Sequence, residues 1–434
     1  MSALHEAAER LLKAAKAAGA DVAEVLLHES ASVSVQRRLG KTEETERAET
    51  REVGLRVFLG RANASVSASA IDPASFTRLA EQAVAMARVV PEDPYAEIPE
   101  APAPMDAAYL ELDDPVEPGM DVLIARAAAA EEAALAVAGI TNSEGGSASW
   151  SRGISLLATS HGFMGAYARS HHGVSVTAIA GTGTQMQRDY DFSSTLHGAD
   201  LEDPAQLGRN AAARALARLN PRRPQTAKLP VVFDPRVAGG ILGHFSGAIS
   251  GASIARGTSF LKDALGRAVF APGIAIIDDP FRVRGLRSRP YDREGQPVSC
   301  RAFIEDGVLT SWILDTRSAN QLGLKTSGNA GGLSNFYMAA GKLSPAALMA
   351  DIAEGLYVTE MIGMGVNGLT GDYSRGAAGF MIRNGQLAEP VAEITIAGNL
   401  KDMFLHLTPA DDLEFKRGTD APTLRIEGMT LAGG

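Results

Sequence analysis

The sequence predicts an α+β protein: an N-terminal α/β layer domain, then a mostly antiparallel, barrel-like β domain with a Gly-rich helix packed against it. Three observations carry this prediction. Short runs that alternate apolar and polar residues, the period of a half-buried strand, recur along the chain. Asp-Pro or Ser-Pro pairs at 72–73, 203–204, 234–235 and 344–345 mark helix starts. There Asp or Ser offers a capping oxygen, and Pro suits the first helical position because its missing N–H costs nothing. After Leu229 the chain is mostly short strands and Gly-rich turns.

Residues 2–19 read as an amphipathic helix, with Leu4, Ala8, Leu11, Leu12 and Ala15 on one side and Gly19 as its stop. Alternation at Val33–Val35 and across Leu55, Val57 and Leu59 predicts antiparallel strands turning at Gly40 and Gly60. A helix from Asp72 through Ala87 completes an N-terminal domain over residues 1–90. Residues 91–118 are rich in Pro, Glu and Ala without periodicity, and are expected to form an extended surface connector. The segment 119–224 opens with a helix from Pro118 through Val137. It continues as a β-meander turning at His161-Gly162 and His172-Gly173, and ends in a helix from Asp203 to Leu219. The basic, Pro-containing junction NPRRPQTAK (220–228) precedes a C-terminal β-rich domain over 225–434.

That domain starts with an apolar strand, Leu229–Phe233, followed by the Asp234 cap and a helix with Ile241, Phe245 and Ile249 on one face. Gly239, Gly240, Gly243, Gly247 and Gly251 interrupt it. Each costs roughly 1 kcal/mol relative to Ala in a helix. So many imply either close approach by another backbone or a helix whose original purpose has changed. A last helix is expected from Ser344 through Glu354, and clean alternation predicts strands in GFMIRNGQ, AEPVAEITIAGN and APTLRIEGMTLAG.

Composition narrows the function. A net charge of −10 argues against non-specific nucleic-acid binding. The densest basic group, Arg282, Arg284, Arg287, Arg289 and Arg293, reads as a solvated strand and turn. Cys300 is the single cysteine, so no intrachain disulfide forms, and among the strand formers of PVSCRAFI it is expected to be a buried structural thiol. Residues 1–20 lack the apolar core of a signal peptide, and no run approaches membrane-spanning length, so a soluble cytoplasmic protein is expected. The HEAAE at His5–Glu9 lacks a second histidine at metal spacing. His161, His171 and His172 form the closest histidine group. Adjacent strand residues point to opposite faces, so at most one of the latter pair could join His161, and turn histidines are the expected reading. GTGTQ at Gly181–Gln185 opens no helix and is not a dinucleotide fingerprint; a strand in close backbone contact is expected there. No GxSxG elbow occurs.

The order of strand, Gly-rich helix, APGIAIIDDP (Ala271–Pro280), DREGQPV (Asp292–Val298), SGNAGGLSNFYM (Ser327–Met338) and the ending APTLRIEGMTLAGG resembles the TldD/PmbA family. In its protease members this helix carries HExxxH, with two zinc-binding histidines and a glutamate base. The resemblance places Leu242, Gly243 and Gly247 at those three positions. His244 is the only histidine on the helix, so no change of register restores a pair. The family's C-terminal cysteine ligand has no counterpart between Asp412 and Thr423. The chain therefore looks like the PmbA (TldE) branch, whose members are partner subunits.

The resemblance implies no catalytic residue and no metal ligand in this chain, with zinc carried by a TldD-type partner in a heterodimer that acts on unfolded peptides or peptide precursors. It also points to Ser334, Asn335 and Tyr337 as substrate-backbone contacts, because protease members carry a similar stretch beside their metal; an ordinary structural loop is the alternative. Two other functions stay open: a peptidase active on its own through unrecognised ligands, and a homodimeric peptide-binding scaffold. No membrane or direct nucleic-acid partner is expected, although the family has been labelled a modulator of DNA gyrase.

Overall fold

The computed structural model describes residues 2–433. Helix α1 (Ser2–Ala17) leads into β1 (Val22–Arg38), β2 (Lys41–Leu59), β3 (Ala62–Ala68) and α2 (Phe76–Ala87). Beyond the connector come α3 (Met120–Leu135), β4 (Ile140–Thr159), β5 (Met164–Ala180), β6 (Gln187–Thr195) and α4 (Pro204–Ala217). All six strands hydrogen-bond into one antiparallel sheet, in the order β3-β2-β1-β4-β5-β6. Segments 1–90 and 119–224 are thus joined through the β1–β4 ladder, which runs from Glu24 opposite Thr159 to Arg37 opposite Gly146.

Period-two alternation gives this sheet two unlike faces. Val25 and Leu27 on β1 pack beneath α1 and α2, while Val33 and Val35 pack beneath α3 and α4. The intervening residues of β1, with their register partners on β4, present Ser30, Ser32, Ser34, Ser149, Ser151 and Ser155 on the opposite, polar face.

β5 runs unbroken through His171 and Gly173, so the expected turn at His172-Gly173 does not exist. Its pairing with both β4 and β6 keeps it extended. The Gly183–Gln185 segment is a 3₁₀ turn, not a strand. The connector does more than wrap the surface. It buries Ile98, Leu110 and Leu112, and Asp93 pairs with Arg317 of the C-terminal half at 2.6 Å.

The C-terminal half contains β7 (Ala227–Phe233), α5 (Pro235–Ala248), α6 (Gly251–Ala255), β8 (Ile276–Asp279), β9 (Arg301–Glu305), β10 (Val308–Leu309) and α7 (Thr316–Leu322). These are followed by β11 (Asn335–Met338), α8 (Pro345–Met349), β12 (Glu354–Ile362), β13 (Asp372–Arg383) and β14 (Gln386–Asn399). Last come α9 (Leu400–Leu405), β15 (Leu407–Pro409), β16 (Thr419–Asp420) and β17 (Leu424–Ala432). Strands β14, β13, β12, β7 and β17 are neighbours in that order, and β14 also pairs with β17, which closes a five-stranded barrel. Only the β7–β12 pairing in it is parallel. A smaller sheet, β10-β9-β8-β11-β16, lies alongside, and α5 packs between the two sheets through Ile241, Leu242 and Phe245.

Three expectations are corrected here. Helix α8 ends at Met349, because Glu354 already opens β12, which must reach its ladder with Val231–Phe233. Cys300 is exposed, lying just before β9 starts. The arginine group is solvated only in part: Arg284, Arg287 and Arg293 are exposed, whereas Arg282 and Arg289 are not. Arg284 bonds Glu111 at 2.6 Å and Asp200 at 3.0 Å, Arg282 lies over the Phe415 ring, and Arg289 is largely buried. Among the described residues, no helix is long and apolar enough to cross a membrane.

Candidate functional site

The Gly-rich helix α5 begins where expected. The Asp234 carboxylate accepts the Arg236 N–H at 2.8 Å and the Tyr357 hydroxyl at 3.1 Å, and Pro235 follows it. One face is core. Phe245 meets Phe270, Phe336 and Phe404 at ring-centroid distances of 5.1, 6.4 and 6.0 Å, and Leu242 beside it is fully buried.

The glycines of this region fall into two kinds. A Cβ at Gly239 would stand 2.8 Å from the Thr419 carbonyl oxygen, and one at Gly251, the first residue of α6, would stand 2.8 Å from the Ile313 carbonyl oxygen. Both positions are held open by a neighbouring backbone. At Gly243 and Gly247, by contrast, nothing lies within 4 Å of where a Cβ would be. These two glycines, one turn apart, help line a cavity of about 270 Å³ with His244, Thr258, Phe260 and Met364. No close contact there demands a missing side chain.

His244 is the one imidazole on this wall. Its ring stands edge-on to Tyr373 at 5.7 Å, and its Nε2 is buried without a hydrogen-bond partner. Burial, and then the nearby Arg375, push its pKa below the usual histidine value, so it is neutral at pH 7. A zinc site of the family type needs about three protein ligands and a base for the bound water. The three positions implied by the resemblance supply a core leucine and two bare glycines, and no carboxylate lines the cavity. Between 412 and 423, where a cysteine ligand would be sought, Asp412 instead accepts the Thr423 N–H at 2.8 Å and its hydroxyl at 2.7 Å. The residues present do not fit zinc. Among the described residues, no group of three or more His, Cys, Asp or Glu side chains is arranged to hold a metal ion.

The SGNAGGLSNFYM loop, Ser327 to Met338, is organised from below by two buried carboxylates. Asp278 accepts the Ser334 N–H at 2.7 Å and the Asn329 amide at 2.9 Å. Asp292 accepts the N–H groups of Ala330, Glu294 and Gln296 at 3.0, 2.9 and 2.9 Å. Burial raises the Asp278 pKa to about 6 despite these bonds and the nearby Arg289. Ser334 and Asn335 are buried and face inward. Asn335 donates to the Asp279 carbonyl at 2.7 Å and to Ser288 Oγ at 2.8 Å, and accepts the Arg287 N–H at 3.0 Å. The Asn335 side chain is thus committed to the loop's own hydrogen bonds, whereas Ser334 is held through its backbone N–H and its buried hydroxyl has no hydrogen-bond partner. Tyr337 alone of the three is partly exposed, packed edge-on against Phe415 at 5.0 Å.

The histidine group does not converge. His161 sits exposed in the β4–β5 turn, and His171 and His172 point to opposite faces of β5, as their adjacency requires. His172 is buried, with Nε2 3.2 Å from Asp114 Oδ2. Sequence reasoning missed this pair because Asp114 lies in the aperiodic connector, where nothing local marks it.

Family profiles described as the PmbA/TldA metallopeptidase domain 1, central domain and C-terminal domain match residues 23–87, 113–219 and 226–433. The chain is 39% identical over 416 residues to the metalloprotease PmbA of Escherichia coli O157:H7, covering 95% of this chain and 92% of that protein. This chain belongs to the PmbA/TldD family. The PmbA/TldD fold is matched across the whole chain by a crystal structure of a protein described as a modulator of DNA gyrase, from Bacteroides thetaiotaomicron. It superposes with a TM-score of 0.92 at 24% identity, covering 100% of both chains. TldE from Thermococcus kodakarensis superposes with a TM-score of 0.86 at 20% identity, covering 98% of this chain and 100% of that one. At these identities the structures report the fold of the family and not its chemistry.

Proposed function

We propose that this chain is a non-catalytic subunit of a TldD/TldE-type metalloprotease complex, helping to enclose and bind unfolded peptides or peptide precursors that a zinc-bearing partner cleaves. The observation that carries this reading is the wall of α5. Where the family's proteases need His, Glu and His, Leu242 is committed to the core and Gly243 and Gly247 leave the cavity bare. The partner is then a TldD-type subunit in a heterodimer, and zinc belongs to that subunit. Peptide capture suits the N-terminal sheet as well. β3 pairs only with Val53–Leu59 of β2, so β2 from Lys41 to Glu52 has a free outer edge for main-chain pairing. Its dense charge discourages indiscriminate strand addition.

The test is reconstitution. The chain is purified alone and together with a TldD-type protein, and zinc content and cleavage of an unfolded peptide are measured in each. The reading expects near-zero zinc and no cleavage from the chain alone, and a stable complex with chelator-sensitive cleavage when the two are mixed. Stoichiometric zinc with chelator-sensitive cleavage by the chain alone would replace it with a self-sufficient peptidase. Stable self-association with no complex would replace it with a homodimeric scaffold.

A further inference from the structure

The polar face of the N-terminal sheet carries a second concavity of about 380 Å³. His28 of β1, Ser151 and Ser155 of β4, and Tyr167, Arg169 and His171 of β5 surround it. Strand register sets them on one face: His28 stands opposite Ser155, Ser155 opposite Tyr167, and Ser151 opposite His171. Gly153 is part of the lining between these strands. A Cβ there would stand 2.9 Å from His28 Cε1, so the imidazole depends on its absence.

Arg169 decides what the pocket is for. Its Nη1 donates to the Leu286 carbonyl at 2.8 Å and its Nη2 to the Ser288 carbonyl, so the guanidinium sits where the sheet meets the C-terminal half. Its Nε is buried and has no hydrogen-bond partner. No carboxylate pairs with it among the described residues; the Tyr167 ring centroid lies 6.0 Å from the guanidinium carbon, and another cation, Arg289, is close enough to act on it. Neighbouring Arg152 shows the contrast: it stands on the other face of the sheet and is held bidentately by Asp113 at 2.7 and 2.8 Å. His28 Nδ1 bonds Ser155 Oγ at 3.0 Å, and His171 Nε2 bonds Ser194 Oγ at 2.7 Å, which leaves the second ring nitrogen of each without a protein partner. Glu52, opposite His28 on β2, forms no ion pair with these groups. A largely buried cation without a counter-ion is costly, and an anion that reaches it recovers that cost.

We infer that this pocket binds a small oxyanion, a carboxylate or phosphate group, with Arg169 as its charge partner and His28, His171 and Ser151 as hydrogen-bonding neighbours. Nothing in the proposed peptidase role requires this site, and it is tested on the chain alone, so its failure is distinct from failure of the heterodimer. Calorimetric titration at low ionic strength uses inorganic phosphate, a short N-acetylated peptide with uncharged side chains and a free C-terminal carboxylate, and the same peptide as its amide. One site per chain is expected, weakened by at least about tenfold in Arg169→Gln, the loss that follows removal of a charge-assisted hydrogen bond. That variant also loses two carbonyl contacts, so Ser151→Asp provides the second arm. It places a carboxylate in the pocket, keeps Arg169 in place, and should abolish binding with an unchanged circular dichroism spectrum. Binding of the acid peptide but not its amide identifies a peptide carboxylate as occupant, and binding of phosphate without preference for the acid peptide identifies a free oxyanion. The inference is overturned if none of the three ligands binds at millimolar concentration, or if folded Ser151→Asp binds as tightly as the unaltered chain.

Discussion

Arg236, the second residue of the Gly-rich helix, donates through Nη1 to Asp189 Oδ1 at 2.6 Å, joining β6 of the N-terminal sheet to the first turn of α5. Asp189 is 3% exposed, and it also faces Arg218 Nη1 at 3.5 Å. Removing one partner of a buried pair costs about 3–5 kcal/mol when the other charge is left alone, but here Arg236 keeps Asp234 at 3.4 Å and Arg218 keeps Glu360. Asp189→Ala is therefore expected to lower unfolding stability by about 1–3 kcal/mol, the cost of buried donors losing a partner, and to loosen the junction between the two halves. Urea unfolding combined with limited proteolysis across residues 218–228 checks it, and a loss below about 1 kcal/mol, the range of an exposed pair, would show that the junction does not depend on this contact.

The two kinds of glycine in the α5 region make opposite demands. Gly243→Ala and Gly247→Ala place a methyl in open space and improve helix propensity, so each should stabilise the chain by roughly 0.5–1 kcal/mol. Gly239→Ala pushes its methyl against the Thr419 carbonyl and should destabilise the chain, despite the same gain in propensity. Thermal melts of the three variants settle the comparison by sign alone.

Stability should fall as pH rises from 4.5 to about 7. Burial lifts the Glu294 pKa from its ordinary 4.5 to about 7, against its bonds from Thr316 N–H at 2.9 Å and the Thr316 hydroxyl. Between those values the folded chain retains a proton that the unfolded chain releases, so raising the pH through that window favours unfolding. Asp278, lifted from 3.8 to about 6, acts in the same direction over a lower window. Glu294→Gln can still accept from Thr316 and should flatten the pH dependence of the melting temperature, most visibly near pH 8. A profile unchanged by this substitution would remove Glu294 as its source.

Asn335→Ala deletes three hydrogen bonds and leaves the Arg287 N–H, the Asp279 carbonyl and Ser288 Oγ to find new partners. Each buried group left unpaired costs about 1–3 kcal/mol. The expected result is a marked loss of stability. A fully stable Asn335→Ala that instead binds peptide poorly would return this residue to the substrate surface.

The fold was legible wherever the signal was local. The Asp-Pro and Ser-Pro caps marked the starts of α2, α4, α5 and α8, although a 3₁₀ turn at Pro73–Ser75 precedes α2. Alternation in APTLRIEGMTLAG and AEPVAEITIAGN located β17 and β14. What stayed hidden depends on partners far along the chain. His172-Gly173 has the composition of a turn, but ladders on both sides hold it straight. Ser334 and Asn335 look like exposed polar loop residues until Asp278 and Ser288, some fifty residues earlier, are brought beneath them. The meaning of Gly243 and Gly247 needed space as well as spacing, since only the open volume around them separates these two from the packed Gly239.

The barrel's closure has a consequence for how the protein is made. β7 lies between β12 and β17, and the latter starts about 190 residues after β7 ends. At roughly 5–20 residues per second that is about 10–40 s of synthesis. During this interval Val231, Val232 and Phe233, all buried in the finished molecule, have no second strand to lie against. The N-terminal sheet, complete by Thr195, can form on the ribosome, whereas the C-terminal half must wait for nearly its last strand. A nascent chain stalled within that window would expose a sticky β-strand, so quality-control factors are expected to engage the second half of this protein far more than the first.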